Sequence, residues 1–141
     1  MARNSKVDRL QDVQLFSSCT VKELTQIARA SDEVAVGEGT SVVTEGSLGH
    51  EFYLILDGRT AVSRGGKPVA ELGPGQYFGE MSLLDGAPRN ATVTALAPTK
   101  LMVLGQREFA ALLDSTPGVA RKLLTQMAAR LRAADDQAVT H

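Results

Sequence analysis

Glu80 and Arg89 are the two side chains of this sequence with the clearest chemical use, and they share one segment, residues 78–92, FGEMSLLDGAPRNAT. Residues 79–84 are too few for an ordinary helix and too irregular for a strand, which predicts a single inserted helical turn. Such a turn leaves its first backbone N–H groups unpaired and carries the positive end of the dipole, so it can hold an anion. A cyclic phosphate diester would be singly charged and would present two free oxygens. Arginine suits it, because the planar guanidinium donates two parallel hydrogen bonds and keeps its charge. Arg89 follows Pro88, which holds the chain extended, and precedes a predicted strand. Gly79 lets the backbone approach a ligand closely. Glu80 would be repelled by the phosphate and is placed to accept from a neutral donor beside it, such as a ribose 2′-hydroxyl.

The surrounding chain must hold this segment in place. Residues 5–31 read as helical: Leu10, Val13, Leu15 and Phe16 are followed by Thr20-Val-Lys-Glu23, a capping-box start with Val21, Leu24, Ile27 and Ala28 on one face. Across 32–105 the hydrophobic period becomes two. The runs EVAV, TSVVT, FYLIL, RTAVSR, KPVAEL, NATVTAL and KLMVLG recur about every ten residues between Gly-, Pro- and Asp-bearing turns. That spacing predicts an antiparallel sandwich or barrel. Asp57-Gly58 and Gly65-Gly66 have the composition of tight hairpin turns. Helical periodicity returns over 106–136, where Val119, Leu123, Met127 and Leu131 repeat every four residues behind Pro117.

Composition narrows the function classes. The 141 residues have the length of one domain. The formal net charge is -1 and the cations are scattered, which is not the footprint of a direct nucleic-acid binder. No apolar run approaches 20 residues and the N-terminus lacks a signal-peptide core, so no membrane span is expected and the cytoplasm is the default location. With Cys19 the lone cysteine and His50 and His141 the only histidines, neither a thiolate cluster nor a several-histidine metal site can form, and no metal site is assigned. No nucleophile elbow or Cys/His pair is present, so no catalytic residue is assigned and the chain is not expected to be an enzyme. Residues 73–79 come close to a dinucleotide fingerprint, but the spacing is wrong and no crossover helix follows.

Phe78-Gly79-Glu80-Met81-Ser82-Leu83-Leu84 with Pro88-Arg89-Asn90-Ala91-Thr92 resembles the phosphate-binding cassette of the cyclic-nucleotide-binding domain family, the type found in the catabolite activator protein and protein kinase A regulatory subunits. Glu45-Gly46, residues 52–58 (FYLILDG) and residues 72–79 (LGPGQYFG) are similar to that family's β-roll signature, so the resemblance covers roughly residues 12–134. It implies an α+β, mainly β fold: an eight-stranded antiparallel β-roll or jelly roll with N-terminal helices, a short cassette helix and C-terminal helices. It implies one domain over 1–141, with the helical lead-in at 5–31, the roll at 32–105, the cassette at 78–92 and the last helices at 106–136. The ligand would be cAMP or cGMP, with no further cofactor. Glu80 would take the ribose 2′-hydroxyl and Arg89 the cyclic phosphate, with backbone groups around Gly79, Met81, Ser82 and Ala91 completing the phosphate shell. Val62 and Ala70 would line the base side.

Three positions depart from the family pattern. Ser82 stands where alanine is commonest, Asn90 where cGMP-selective members tend to carry threonine, and His50 where aspartate is frequent. Asn90 leans the expectation towards cAMP. The implied role is a sensor that passes ligand binding to the C-terminal helices through Leu83, Leu84, Leu112, Leu113, Leu123 and Met127, hinged at 114–117. Its partner would be an effector protein or a fused effector domain, with the last helix as a base-capping or homodimer surface. Ala134 cannot hydrogen-bond a base there, and Arg121, Lys122, Arg130 and Arg132 read as a solvated face. The competing readings are a degenerate fold of the same kind used only for protein interaction, and a cupin-like metal enzyme.

Overall fold

The computed structural model describes residues 6–139 of the chain, with side chains to residue 133. Ser5, which opened the expected lead-in, His141, and the side chain of Ala134 lie outside the described residues. The lead-in is three pieces: helix α1 Lys6–Gln11, a 3₁₀ turn Gln14–Phe16 and helix α2 Val21–Ala30. The capping box forms as the sequence predicts. Glu23 N–H donates to Thr20 Oγ1 at 3.1 Å and Thr20 N–H donates to Glu23 Oε1 at 2.8 Å, pairing two donors the helix start would otherwise leave open.

Eight strands follow: β1 Asp32–Val36, β2 Ser41–Val43, β3 Glu51–Asp57, β4 Thr60–Arg64, β5 Lys67–Leu72, β6 Tyr77–Phe78, β7 Thr92–Ala95 and β8 Thr99–Gly105. Helix α3, Glu80–Asp85, interrupts them, and α4 Gln106–Ser115 and α5 Pro117–Val139 follow. The expected closed β-roll or jelly roll is corrected here. The strands form two four-stranded antiparallel sheets, ordered β1-β8-β3-β6 and β2-β7-β4-β5, and among the described residues no ladder joins them. Strand periodicity reports which residues alternate, but closure depends on the edges, and these are poor partners. β6 has two residues, and β5 exposes Lys67, Pro68 and Glu71 along an edge where proline removes a ladder donor.

A second correction concerns Asp57-Gly58. It does not close a hairpin, because β3 and β4 belong to different sheets, and the turn carries the chain from one to the other. Gly65-Gly66 does join an antiparallel pair, with Arg64 opposite Lys67.

β3 and β8 are buried on both faces, which explains why they read as nearly continuous apolar runs. Phe52, Leu54 and Leu56 of β3, with Met102 and Leu104 of β8, pack under the helices against Leu10, Phe16, Leu24, Phe109 and Leu123. Ile55 and Leu101 face the other way and meet Val43, Phe78 and Val93 between the sheets. Phe52 stacks on Phe109 with ring centres 4.7 Å apart. Of the expected transmission residues, Leu112 and Leu123 are buried in the helical cluster and Leu83, Leu113 and Met127 pack against it; Leu84 is exposed instead. α4 and α5 meet at buried Thr116, within the expected hinge. Among the described residues no helix is long and apolar enough to cross a membrane.

Candidate functional site

The inserted helical turn is α3, and Gly79 is its N-cap at φ 93°. A β-carbon on residue 79 would stand 2.6 Å from the Glu51 carbonyl oxygen and 3.0 Å from Arg89 Nη1. Glycine is therefore required both for the positive φ and for the close approach. The turn aims Glu80 and Ser82 inwards, at 3% and 8% exposure, and leaves Met81 partly exposed.

Arg89 is 5% exposed although it carries a charge. Its backbone is clamped by the loop before β3: Arg89 N–H donates to Ser47 O at 2.8 Å, and Gly46 N–H donates to Arg89 O at 2.8 Å. The guanidinium donates from Nη1 to Gly79 O and from Nη2 to Glu51 O, both at 3.1 Å, and lies 5.9 Å from the centre of the Tyr53 ring. Gly49 is pressed so close that any β-carbon there would overlap the guanidinium. The nearest carboxylate oxygen, on Glu51, is 3.9 Å away. Arg89 is thus a buried cation oriented mainly by neutral carbonyls, with the Glu51 carboxylate as its more distant ion-pair partner.

A cavity of about 510 Å³ opens beside these groups, and all nine sequence-predicted site residues line it: Val62, Ala70, Gly79, Glu80, Met81, Ser82, Arg89, Asn90 and Ala91. On the phosphate side Glu80, Ser82 and Arg89 are buried, Gly79 is half-buried and Met81 is exposed. Ala91 is buried, Val62 is half-buried, and Asn90 and Ala70 are exposed, with the Asn90 amide 3.8 Å from Met81 Sδ. His50, to which the sequence assigned no role, is exposed and absent from the lining.

Arg130 was missed. Grouped by sequence with Arg121, Lys122 and Arg132 on a solvated face, it instead reaches back from α5, and its Nη1 donates to Glu80 Oε2 at 3.1 Å. Its guanidinium lies 5.6 Å from the centre of the Tyr77 ring, and the Tyr77 hydroxyl donates to Gln126 Oε1, also on α5. The available signal was helical spacing: Arg130 falls three residues after Met127, on the stripe that faces the core. Glu80 therefore has a cationic partner as well as the capacity to accept from a ligand, since a carboxylate offers about four lone-pair sites. Burial pushes the Tyr77 hydroxyl above its ordinary pKa, with Arg130 opposing and Glu80 adding to the rise. Tyr53, beneath Arg89, is raised by burial and by Glu51, against Arg89. Among the described residues no three His, Cys, Asp or Glu side chains could hold a metal ion.

The chain as a whole has counterparts among known proteins. The family model described as "Cyclic nucleotide-binding domain" matches residues 33–116. The chain is 41% identical over 106 residues to a cAMP-dependent protein kinase regulatory subunit of Yarrowia lipolytica, covering 74% of this chain and 28% of that protein. It is 40% identical over 103 residues to the cyclic AMP receptor protein of Thermus thermophilus, covering 70% of this chain and 48% of that one. Among solved structures, the Thermus thermophilus catabolite activator protein superposes with a TM-score of 0.82 at 34% identity, over 87% of this chain and 60% of that one. The regulatory domain of Toxoplasma gondii PKA with cAMP superposes with a TM-score of 0.79 at 26% identity, over 91% and 50% of the two chains. The chain thus spans from about a quarter to about half of the length of these curated relatives.

Proposed function

Because the chain belongs to the cyclic nucleotide-binding domain family, we propose that it binds one cyclic nucleotide, cAMP in preference to cGMP, in the cavity beside α3 and acts as a sensor domain. The observation that carries this reading is Arg89: a buried guanidinium, held in one orientation by two backbone carbonyls, facing a cavity with the start of α3 on its wall. The cyclic phosphate would pair with Arg89 and with backbone N–H groups of Gly79, Met81, Ser82 and Ala91. The ribose 2′-hydroxyl would donate to Glu80, and the base would lie along Val62 and Ala70. The relatives named for cAMP, and asparagine at position 90, favour the adenine nucleotide.

The output follows from Glu80, which a ligand and α5 would both contact. A ligand moves a conformational equilibrium only through differential affinity for its two states. Arrival of the ribose at Glu80 changes the environment of the Glu80–Arg130 contact and so biases α5, with residues 114–117 as the hinge. We read residues 1–141 as one such domain, acting on an effector, with the exposed Leu124 and Leu131 of α5 as the surface for a homodimer.

Titration calorimetry with cAMP and cGMP in parallel tests the reading. The expected result is one site per chain and tighter binding of cAMP. Absence of heat and of any thermal shift at millimolar concentration of both nucleotides would overturn it.

A further inference from the structure

The charges lining the cavity divide into satisfied and unsatisfied ones. Glu80 is met by Arg130, and Glu71 is met by Arg59, the residue before β4. Arg89 rests mainly on carbonyls inside. The remaining lining charge is Arg64, the last residue of β4, which no part of the cassette resemblance involves. It stands at the rim, solvent-exposed, and its Nε donates to the carbonyl oxygen of Asn90 at 3.1 Å, the residue directly after Arg89.

Among the described residues the Arg64 side chain makes that one hydrogen bond and no ion pair. The nearby Glu45 carboxylate instead accepts from Gly65 N–H at 2.9 Å. Opposite Arg64 across the Gly65-Gly66 turn is Lys67, also exposed, so the hairpin tip beside the mouth adds a second cation. Three arginines and two glutamates line the cavity, making it locally positive on a chain whose formal net charge is -1. Excess charge at a cleft mouth raises the rate at which an oppositely charged ligand arrives, while groups that grip the bound ligand set the rate at which it leaves.

We propose that Arg64 is the entry cation of this site: its unpaired guanidinium edge draws the anionic ligand to the rim, and its bond to Asn90 keeps that charge beside the strand that carries Arg89. The proposal rests on the reading above that the ligand is a cyclic nucleotide. It assigns association to Arg64 and retention to Arg89.

Stopped-flow binding of a fluorescent cAMP analogue to the full chain tests this at two ionic strengths, because charge screening reaches over about 30 Å at 0.01 M and about 3 Å at 1 M. Arg64→Gln removes the charge, whereas Arg64→Lys keeps it and loses the Nε bond. At low salt the expected on-rate of the glutamine variant is about three- to ten-fold below wild type, that of the lysine variant within about two-fold, and all three converge at high salt. The off-rates stay within about two-fold. An on-rate unchanged in Arg64→Gln at low salt, or an equal rise in off-rate for both variants at both salts, overturns the proposal; the second result would make Arg64 only an anchor for Asn90. Calorimetry of the wild type separates the premise: no binding there sinks both readings, while binding with a flat salt response sinks this one alone.

Discussion

The two ends of the cavity are built on different principles. At the cassette end the polar groups are held: Arg89, Glu80 and Ser82 are each under one-tenth exposed, Arg89 is tied by four hydrogen bonds to Gly46, Ser47, Glu51 and Gly79, and glycine is required at 79. At the β4–β5 end Val62, Val69, Ala70 and Leu72 give an apolar surface on an edge hairpin, with Val69 53% exposed, and the charged Arg64 and Glu71 stand beside it. Under the proposed function the first end would hold the sugar phosphate and the second the base, so ligand class and base choice would be set at different places in the cavity.

Substitutions at the two ends should differ in size accordingly. The largest expected loss is Arg89→Ala, about 2–5 kcal/mol of binding, roughly 30- to several-thousand-fold in affinity, read by calorimetry as a weakened or vanished isotherm. A change under three-fold would erase the contrast between the ends. Gly79→Ala comes next. A β-carbon at φ 93° and 2.6 Å from a carbonyl should cost about 1–3 kcal/mol of stability, measured by denaturant unfolding, and binding should fall with it. Arg130→Gln removes the partner of a buried carboxylate but is itself half-exposed, so the expected cost is about 1 kcal/mol, seen as faster ligand release. Smallest is Ala70→Ser, within about 0.5 kcal/mol for cAMP itself, with the useful readout being the ratio of cAMP to cGMP affinity. A large drop there with an unchanged ratio would mean that the apolar end grips the ligand instead of tolerating it.

The same contrast governs what could be read from the sequence. The cassette was legible because its chemistry is local: a short irregular turn, a glycine, an arginine behind a proline, all within fifteen residues. Arg130 was not, since its partner Glu80 is 50 residues away and an arginine on a helix reads as solvated until the helix is docked. Strand patterning located β3 and β8, as apolar runs between turn residues, and the Gly65-Gly66 hairpin. It could not reveal that Asp57-Gly58 crosses between sheets, or that the expected roll stays open, because both depend on which strands pair and not on which residues alternate. Tyr77–Phe78 escaped for a simpler reason: two residues cannot display a period.

Strand β3 is a wall shared by two cores, Phe52, Leu54 and Leu56 pressing on the helices and Ile55 on the space between the sheets. Val43, Phe78 and Val93 belong both to that inter-sheet core and to the cavity lining, while Tyr77 belongs to the lining and to the helical core. Protein interiors are close-packed and yield little to compression. Packing contact therefore runs unbroken from the cavity lining through the inter-sheet core to β3 and on to the helices, by a route that does not include the Arg130 contact.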